Sequence, residues 1–344
     1  VLIPEPTNSI QSLIDKNHES RQENPRYHLG CSTLGHYCDR YLWLSFRWAV
    51  IERFNGRILR LFRRGQMEET TIVQDLRSIG IDIRATSGNQ SRVNFDSHVS
   101  GSMDGIIYYG VPGALNKKHI LEAKTHSLKS FNKLVKEGVE KANFTHWVQM
   151  QVYMLGTFKE GGLEIDRALY YAVCKDNDEI YTERVRFNKE IAQKYVDRGH
   201  RIALADRMPP PISTDSTWYQ CSFCPAKDFC HKSHITKEVN CRTCAHSTAK
   251  EDSTWHCARW DDAIPNNAQY AGCDSHVLHP DLVPYQMLDG DGVNGKWLID
   301  GKEIINGEDG YKSSEILANP AVLNDKRVDE MREFFGARII GKVV

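Results

Sequence analysis

Two acidic side chains and one lysine carry the most chemistry in this 344-residue chain. In the run H-I-L-E-A-K-T-H (His119–His126), Glu122 and Lys124 stand two residues apart. On a strand they project from the same face. An isolated E-x-K is most simply a surface ion pair. Earlier in the chain, G-S-M-D-G-I-I-Y-Y sets Asp104 at a Gly-flanked position beside an apolar strand, where an aspartate alone reads as a turn residue. Adjacent strands would bring Asp104 and Glu122 together at their ends with Lys124 beside them. That trio suits metal-assisted phosphodiester hydrolysis. Mg2+ or Mn2+ prefers carboxylate oxygens and water. A bound ion acidifies its water and stabilises charge on phosphoryl oxygens. A neighbouring lysine positions or deprotonates the attacking water and balances the carboxylates.

The cysteines form two further constellations. W-Y-Q-C-S-F-C-P-A-K-D-F-C gives C-x2-C-x5-C at Cys221, Cys224 and Cys230. Three thiolates call for a fourth ligand, since zinc and [4Fe–4S] sites commonly use four cysteines. Cys38, Cys31 and, for a zinc knuckle, His231 or His234 are the candidates. Next comes C-R-T-C at Cys241 and Cys244, then Cys257 and Cys273, close to a zinc-ribbon spacing. His246, His256 or His276 could replace one of these thiols, and a second iron–sulfur cluster is the alternative occupant. Cys174 sits among apolar strand residues and reads as a core thiol. C-x2-C pairs in a long chain without a secretory signal indicate metal ligation and a reducing, cytoplasmic compartment.

Formal net charge is −1, so any nucleic-acid surface must be local. Arg57, Arg60 and Arg64 recur at i, i+3 and i+7, with Arg53 about one turn before them, as a helical stripe leading toward Glu69. A solvated helix face is the plain reading, and phosphate contact without base reading the functional one. Lys129, Lys133 and Lys136 form a weaker second stripe.

These residues need elements to position them. No apolar run is long enough to span a bilayer. The start, V-L-I-P-E-P-T-N-S-I, lacks the basic and long apolar regions of a secretory signal, and also lacks an initiator Met, which points to processing or trimming. Residues 1–26 are polar and Pro-punctuated and read as an arm. The pattern is helical from Ser32 to about Gly80. Strands are expected at roughly 92–109 and 118–125, in R-A-L-Y-Y-A-V-C and in E-I-Y-T-E-R-V-R-F. Helices are expected over about 127–137, 145–157 and 188–205, ending before Pro209-Pro210-Pro211. Beyond that break Cys, His and Trp dominate to about His279, followed by two short strands around Trp297 and Ile304 and a helix near 325–335. The expected divisions are an arm (1–26), an α/β domain carrying the acidic site and the first cysteine group (27–235), a zinc-binding module (236–282) and a small C-terminal α+β segment (283–344).

D-x17-E-x-K on consecutive strands resembles the PD-(D/E)XK nuclease superfamily. The flanking motifs resemble its RecB-type branch, including the CRISPR-associated iron–sulfur exonucleases and the phage lambda/YqaJ-type exonucleases. F-R-R-G-Q-M-E-E supplies the family's Gly and metal-side Glu as Gly65 and Glu69. H-W-V-Q-M-Q-V-Y supplies its Q-x3-Y as Gln149 and Tyr153, one face of a helix. Met103 stands where the superfamily's name has Pro, a position that varies. The likeness covers roughly residues 30–232. It implies an α/β core of restriction-endonuclease type with a mixed sheet and an iron–sulfur staple, followed here by a C-terminal zinc-binding module outside the family's minimal core. It favours Cys38 as the fourth ligand beside Cys221, Cys224 and Cys230. It implies a Mg2+/Mn2+-dependent DNA exonuclease with Glu69, Asp104 and Glu122 on the metal, Lys124 on the water, and Gln149 and Tyr153 in support. The setting implied is DNA end processing, recombination or replication of a phage or mobile element in the host cytoplasm, with a recombination or single-strand annealing protein as partner. The rival reading is a non-catalytic, metal-scaffolded DNA-binding protein.

Overall fold

Five strands form a mixed sheet in sequential order: β1 (Asp82–Arg84), β2 (Gly105–Tyr109), β3 (His119–His126), β4 (Arg167–Cys174) and β5 (Ile180–Arg186). The computed structural model describes residues 9–159, 161–323 and 325–340. Strand β4 reads as an unbroken apolar run because it is interior and buried on both faces; β5, at the edge, is mostly exposed or half-buried. Among the described residues of this sheet, β3 and β4 are the parallel pair, with Glu122 opposite Tyr170. A parallel pair cannot close through a hairpin. Helices supply the crossover. In chain order the helices of this part are α1 (Ile10–Glu19), α2 (Gly56–Ser78), α3 (Leu128–Ala142), α4 (Phe144–Gly156) and α5 (Lys189–Ala203). The crossover uses α3 and α4.

One face of the sheet is covered by α2. Its Ile72, Val73 and Leu76 pack with Ile83, Ile107, Leu121 and Tyr171 in a common core, with Ala123 against it. Period-2 alternation then turns Glu122 and Lys124 away from that core. Helix α3 carries an interruption at Gly138, whose φ of 74° is a left-handed value that other residues avoid. The freed Val139 N–H donates to Glu183 Oε2 at 2.8 Å.

The expected N-terminal arm falls partly on residues 1–8, outside the described residues. Its remainder contains α1, which lies against α2. Asp15 of α1 pairs with Arg60, and Glu19 Oε1 accepts from Gly56 N at 2.8 Å. A side chain at Gly56 would collide with the Asp15 backbone, so glycine starts α2 at this crossing. The sequence reading missed α1 because its apolar residues are sparse: Ile10 and Leu13 remain exposed.

Chain contacts divide the molecule into two compact units: the residues up to His36 with Glu52–His200, and Tyr37–Ile51 with Arg201 onward. The divisions expected at 235/236 and 282/283 both lie inside the second unit. That unit holds the helix Asp39–Phe46 and two three-stranded sheets, Ser247–Ala249/Trp255–Cys257/Asp262–Ala263 and Gln286–Gly290/Gly295–Ile299/Lys302–Asn306. Strands around Trp297 and Ile304 and a helix Lys326–Phe335 lie where expected. Around Trp297 the core gathers Val277, Leu278, Ile299, Ile304 and Ile316. The Cys-rich segment has an interior as well. Arg242, buried between the two cysteines of C-R-T-C, lies 3.8 Å from the Trp48 ring centroid and donates to Gln269 Oε1 from Nε and Nη2 at 2.9 and 2.8 Å. Among the described residues no helix is long and apolar enough to cross a membrane.

Candidate active site

Glu122 is fully buried on β3, and each of its carboxylate oxygens has one partner. Lys124 Nζ pairs with Oε1, Gln149 Nε2 donates to Oε2 at 3.0 Å, and Gln149 Nε2 also donates to Tyr153 Oη at 3.3 Å. The i, i+4 spacing on α4 puts the glutamine and tyrosine on one face, turned to the sheet. Asp104 lies between the strand Val99–Ser102 and β2. Its Oδ2 accepts from Ala123 N at 3.0 Å and stands 3.6 Å from Lys124 Nζ. Both carboxylates therefore converge on one ammonium. Burial pushes the Glu122 carboxyl up to about 8, with Lys124 opposing and Asp104 adding to the rise. Burial alone would lower Lys124; Glu122 and Asp104 outweigh it and raise the ammonium above its ordinary value.

Glu69 on α2 is half-buried and accepts from Ser87 Oγ and Gln90 Nε2, each at 3.2 Å. Burial, then the nearby Asp104, raises its carboxyl above the usual range. Glu69, Asp104 and Lys124 line one cleft of about 500 Å3 in the first unit. From α2 the lining also takes Ile58, Leu61, Phe62, Gly65 and Gln66. The four arginines of the expected stripe are not brought to this cleft. Arg53 precedes the helix, Arg57 is exposed, Arg60 is occupied by Asp15, and Arg64 donates to Lys175 O at 3.0 Å. A stripe drawn from helical spacing alone could not foresee α1 neutralising its central member.

In the second unit, Cys38, Cys221, Cys224 and Cys230 line one cavity with Tyr37, Arg40 and Tyr41. Cys38 is the N-cap of the helix Asp39–Phe46, its Sγ accepting from Tyr41 N at 3.4 Å. Cys31 belongs to the first unit, where burial pushes its thiol up to about 12. Cys241 lies within electrostatic reach of Cys257 and Cys273, and Cys244 within reach of Cys241 and Cys273. The histidines near them have other partners. His276 meets Ser313 Oγ at 2.7 Å and Asn240 O at 3.1 Å, His246 meets Val293 O at 3.4 Å, and His256 pairs with Asp261 at 3.2 Å. Cys174 is buried in β4.

Among the described residues no three His, Cys, Asp or Glu side chains stand close enough together to hold a metal ion. The donor set of the cleft still fits a hard divalent cation. Glu69 and Asp104 of the cleft, with the buried Glu122 paired to Lys124, offer only oxygens, and the Lys124 ammonium drawn onto Asp104 and Glu122 marks where positive charge is wanted. Four thiols around one cavity are likewise the donor set of a cluster.

Sequence reasoning missed a polar chain beside this site. Tyr170 Oη lies 2.9 Å from His126 Nε2 and 2.8 Å from His146 Nδ1, and His126 Nδ1 lies 2.9 Å from Ser130 Oγ. His146 lines the cleft. The signal for His126 was present, because Glu122, Lys124 and His126 share one face of β3. Tyr170 required the β3–β4 register, which no local pattern gives. Burial, then Lys124, pushes His146 down to about 3, and burial pushes His276 down to about 4. Both are neutral when folded, while the unfolded chain protonates them below about pH 6.5. Stability is therefore expected to fall as pH drops from about 6.5 toward 4, because the unfolded state binds more protons there. Tyr170→Phe strands two imidazole nitrogens and is expected to cost about 1–3 kcal/mol. Urea denaturation across pH measures both effects. An unchanged midpoint in Tyr170→Phe would show that the chain is not structural.

The sequence matches no known family profile and no characterised relative. Solved structures with some likeness include one described as the crystal structure of SSO0001, with TM-score 0.39 and 12% identity over 65% of this chain and 97% of that one. Another is an alkaline exonuclease (LHK-Exo) from Laribacter hongkongensis, with TM-score 0.34 and 10% identity over 54% of this chain and 90% of that one. LHK-Exo in complex with dAMP gives 0.35 and 10%, over 55% and 89%. Likenesses at this level carry no argument, and the functional reading rests on the residues.

Proposed function

We propose that this protein is a Mg2+- or Mn2+-dependent deoxyribonuclease that degrades DNA strands from their ends. The observation that carries the reading is the convergence of Asp104 and Glu122 on Lys124, with Glu69 lining the same cleft. Glu69, Asp104 and Glu122 would hold the divalent ion, which when bound supplies an acidified water and positive charge for the phosphoryl oxygens. Lys124 Nζ donates hydrogen bonds that orient the attacking water and balance phosphoryl charge. Ala123 N–H fixes Asp104, and Gln149 fixes Glu122 with Tyr153 behind it, so both carboxylates are aimed before substrate arrives.

Cys38, Cys221, Cys224 and Cys230 would hold a [4Fe–4S] cluster as a staple of the second unit, and Cys241, Cys244, Cys257 and Cys273 a structural zinc. Resemblance to the RecB-type nucleases of the PD-(D/E)XK superfamily supports both the iron–sulfur assignment and an end-directed activity. By that same resemblance the protein acts in the cytoplasm on phage or mobile-element DNA, in end processing or recombination, beside a strand-annealing protein.

The test is cleavage of end-labelled linear single strands, linear duplex and closed circular single strands with Mn2+ or with EDTA. Linear DNA is expected to fall to short products with Mn2+ only, and circles to be cut much more slowly. Equal rates on circles would make the enzyme an endonuclease. Unchanged cleavage in excess EDTA would remove the metal chemistry, and binding without cleavage under any metal would favour the non-catalytic reading.

A further inference from the structure

The two walls of the cleft differ in chemistry. Along α2 the lining is Ile58, Leu61 and Phe62, with Leu61 39% and Phe62 48% exposed. The same cleft is lined elsewhere by Lys124, Thr125, His146 and Lys175, with the carboxylates Glu69 and Asp104 beside them. The Phe62 ring does not lie loose: Phe54 meets it edge-on, with ring centroids 4.9 Å apart and planes at 82°. One ring is thus braced by another and keeps a face available, in the same cleft as the carboxylates and cations.

An occupant of both walls must carry a flat apolar face and an anion within one small molecule's length of each other. A hydrocarbon would leave the lysines unused. A paired duplex keeps its base faces stacked inside and presents backbone. An unpaired nucleotide has both parts, and Lys175 offers its phosphate an ammonium in addition to Lys124, whose charge Glu122 and Asp104 already engage. We propose that Phe62, braced by Phe54, is a stacking platform for an unpaired nucleobase next to the phosphate held at the carboxylate–lysine site. The cleft then selects single-stranded or frayed DNA, without regard to sequence, because every base has a π-face. This rests on the nuclease reading for its biological meaning but is read out by binding alone.

The experiment uses the full chain in EDTA, where cleavage is suppressed, and short single strands carrying 2-aminopurine. Binding to the wild type is expected to quench the fluorophore. Phe62→Ala should lose the quench and bind about tenfold or more weakly, within the range for one base–aromatic stack. Phe62→Trp should retain both, while Phe62→Leu, which keeps an apolar wall without a ring face, should behave as Phe62→Ala. A strand abasic at the contacted position should bind wild type and Phe62→Ala alike. The proposal is overturned if Phe62→Ala or Phe62→Leu binds and quenches as wild type does. It is equally overturned if the loss is the same for the abasic strand or for blunt duplex. A wild type that quenches 2-aminopurine through Phe62 but never cleaves with Mn2+ would sink the nuclease reading and leave the base subsite standing.

Discussion

Asp104→Asn is expected to reduce Mn2+-dependent cleavage by about 10²–10³-fold or more, the scale of losing one preorganised charge-stabilising group. Asparagine keeps an oxygen to accept from Ala123 N–H, the contact that anchors Asp104 in the fold, so folding should be nearly unchanged. What is lost is the negative charge, since the one Oδ2 that accepts from Ala123 N–H also faces Lys124 and becomes neutral. Glu122→Gln should be as damaging to cleavage, for the same reason. Lys124→Ala should abolish turnover while leaving the carboxylates able to bind the ion. A second readout separates metal binding from chemistry. Saturating Mn2+ stabilises a binding-competent protein, by about 2.7 kcal/mol at a hundredfold excess over Kd. Wild type and Lys124→Ala should show the rise in unfolding midpoint, and Asp104→Asn should show much less of it. If all three respond equally to Mn2+, these carboxylates do not hold the ion. Wild-type cleavage by Asp104→Asn would refute the assignment outright.

The chemistry of this site was more legible than its surroundings. Period-2 alternation was enough to place Glu122 and Lys124 on one face, and the i, i+4 rule was enough to aim Gln149 and Tyr153 together. Local rules suffice there because each relation lies within a single element. Strands β3, β4 and β5 and helix α4 were readable for the same reason: long periodic segments outweigh their ends. Apart from the meeting of Asp104 with Glu122 and Lys124, which adjacent strands imply, relations between two segments were not readable. Residues 37–51 group with a segment more than a hundred and fifty residues later, and no composition shift marks that departure. The partner of Arg60 was hidden in the same way, since α1 supplies Asp15 from outside the helix whose periodicity suggested the stripe. Helical spacing also hid the more informative face of α2, because Ile58, Leu61 and Phe62 look like ordinary core positions until the cleft leaves them uncovered. The Tyr170 bridge between two histidines belongs to this class too, since strand register is a tertiary fact.

Cys38→Ser is expected to be the most destabilising single change in the second unit. If Cys38, Cys221, Cys224 and Cys230 hold a cluster, it closes a chain loop of well over a hundred residues. On the loop-entropy scale for crosslinks that closure contributes about 4–5 kcal/mol. Anaerobically purified wild type should then be brown, with about four irons per chain and about one zinc from the second cysteine group. The variant should lose the colour and unfold at markedly lower denaturant, while its zinc content is unchanged. Cys31 provides the internal control. It is at least as deeply buried as Cys38, but it belongs to the first unit and is not among the residues lining the cavity of Cys38, Cys221, Cys224 and Cys230. Cys31→Ser should therefore keep the iron and pay only for a hydroxyl placed where a thiol was buried, about 1–3 kcal/mol. Equal loss of iron in both variants would mean that Cys31 reaches the cluster. A colourless, iron-free wild type that is fully active would remove the staple while leaving the carboxylate chemistry of the first unit untouched, because the two sites share no residue.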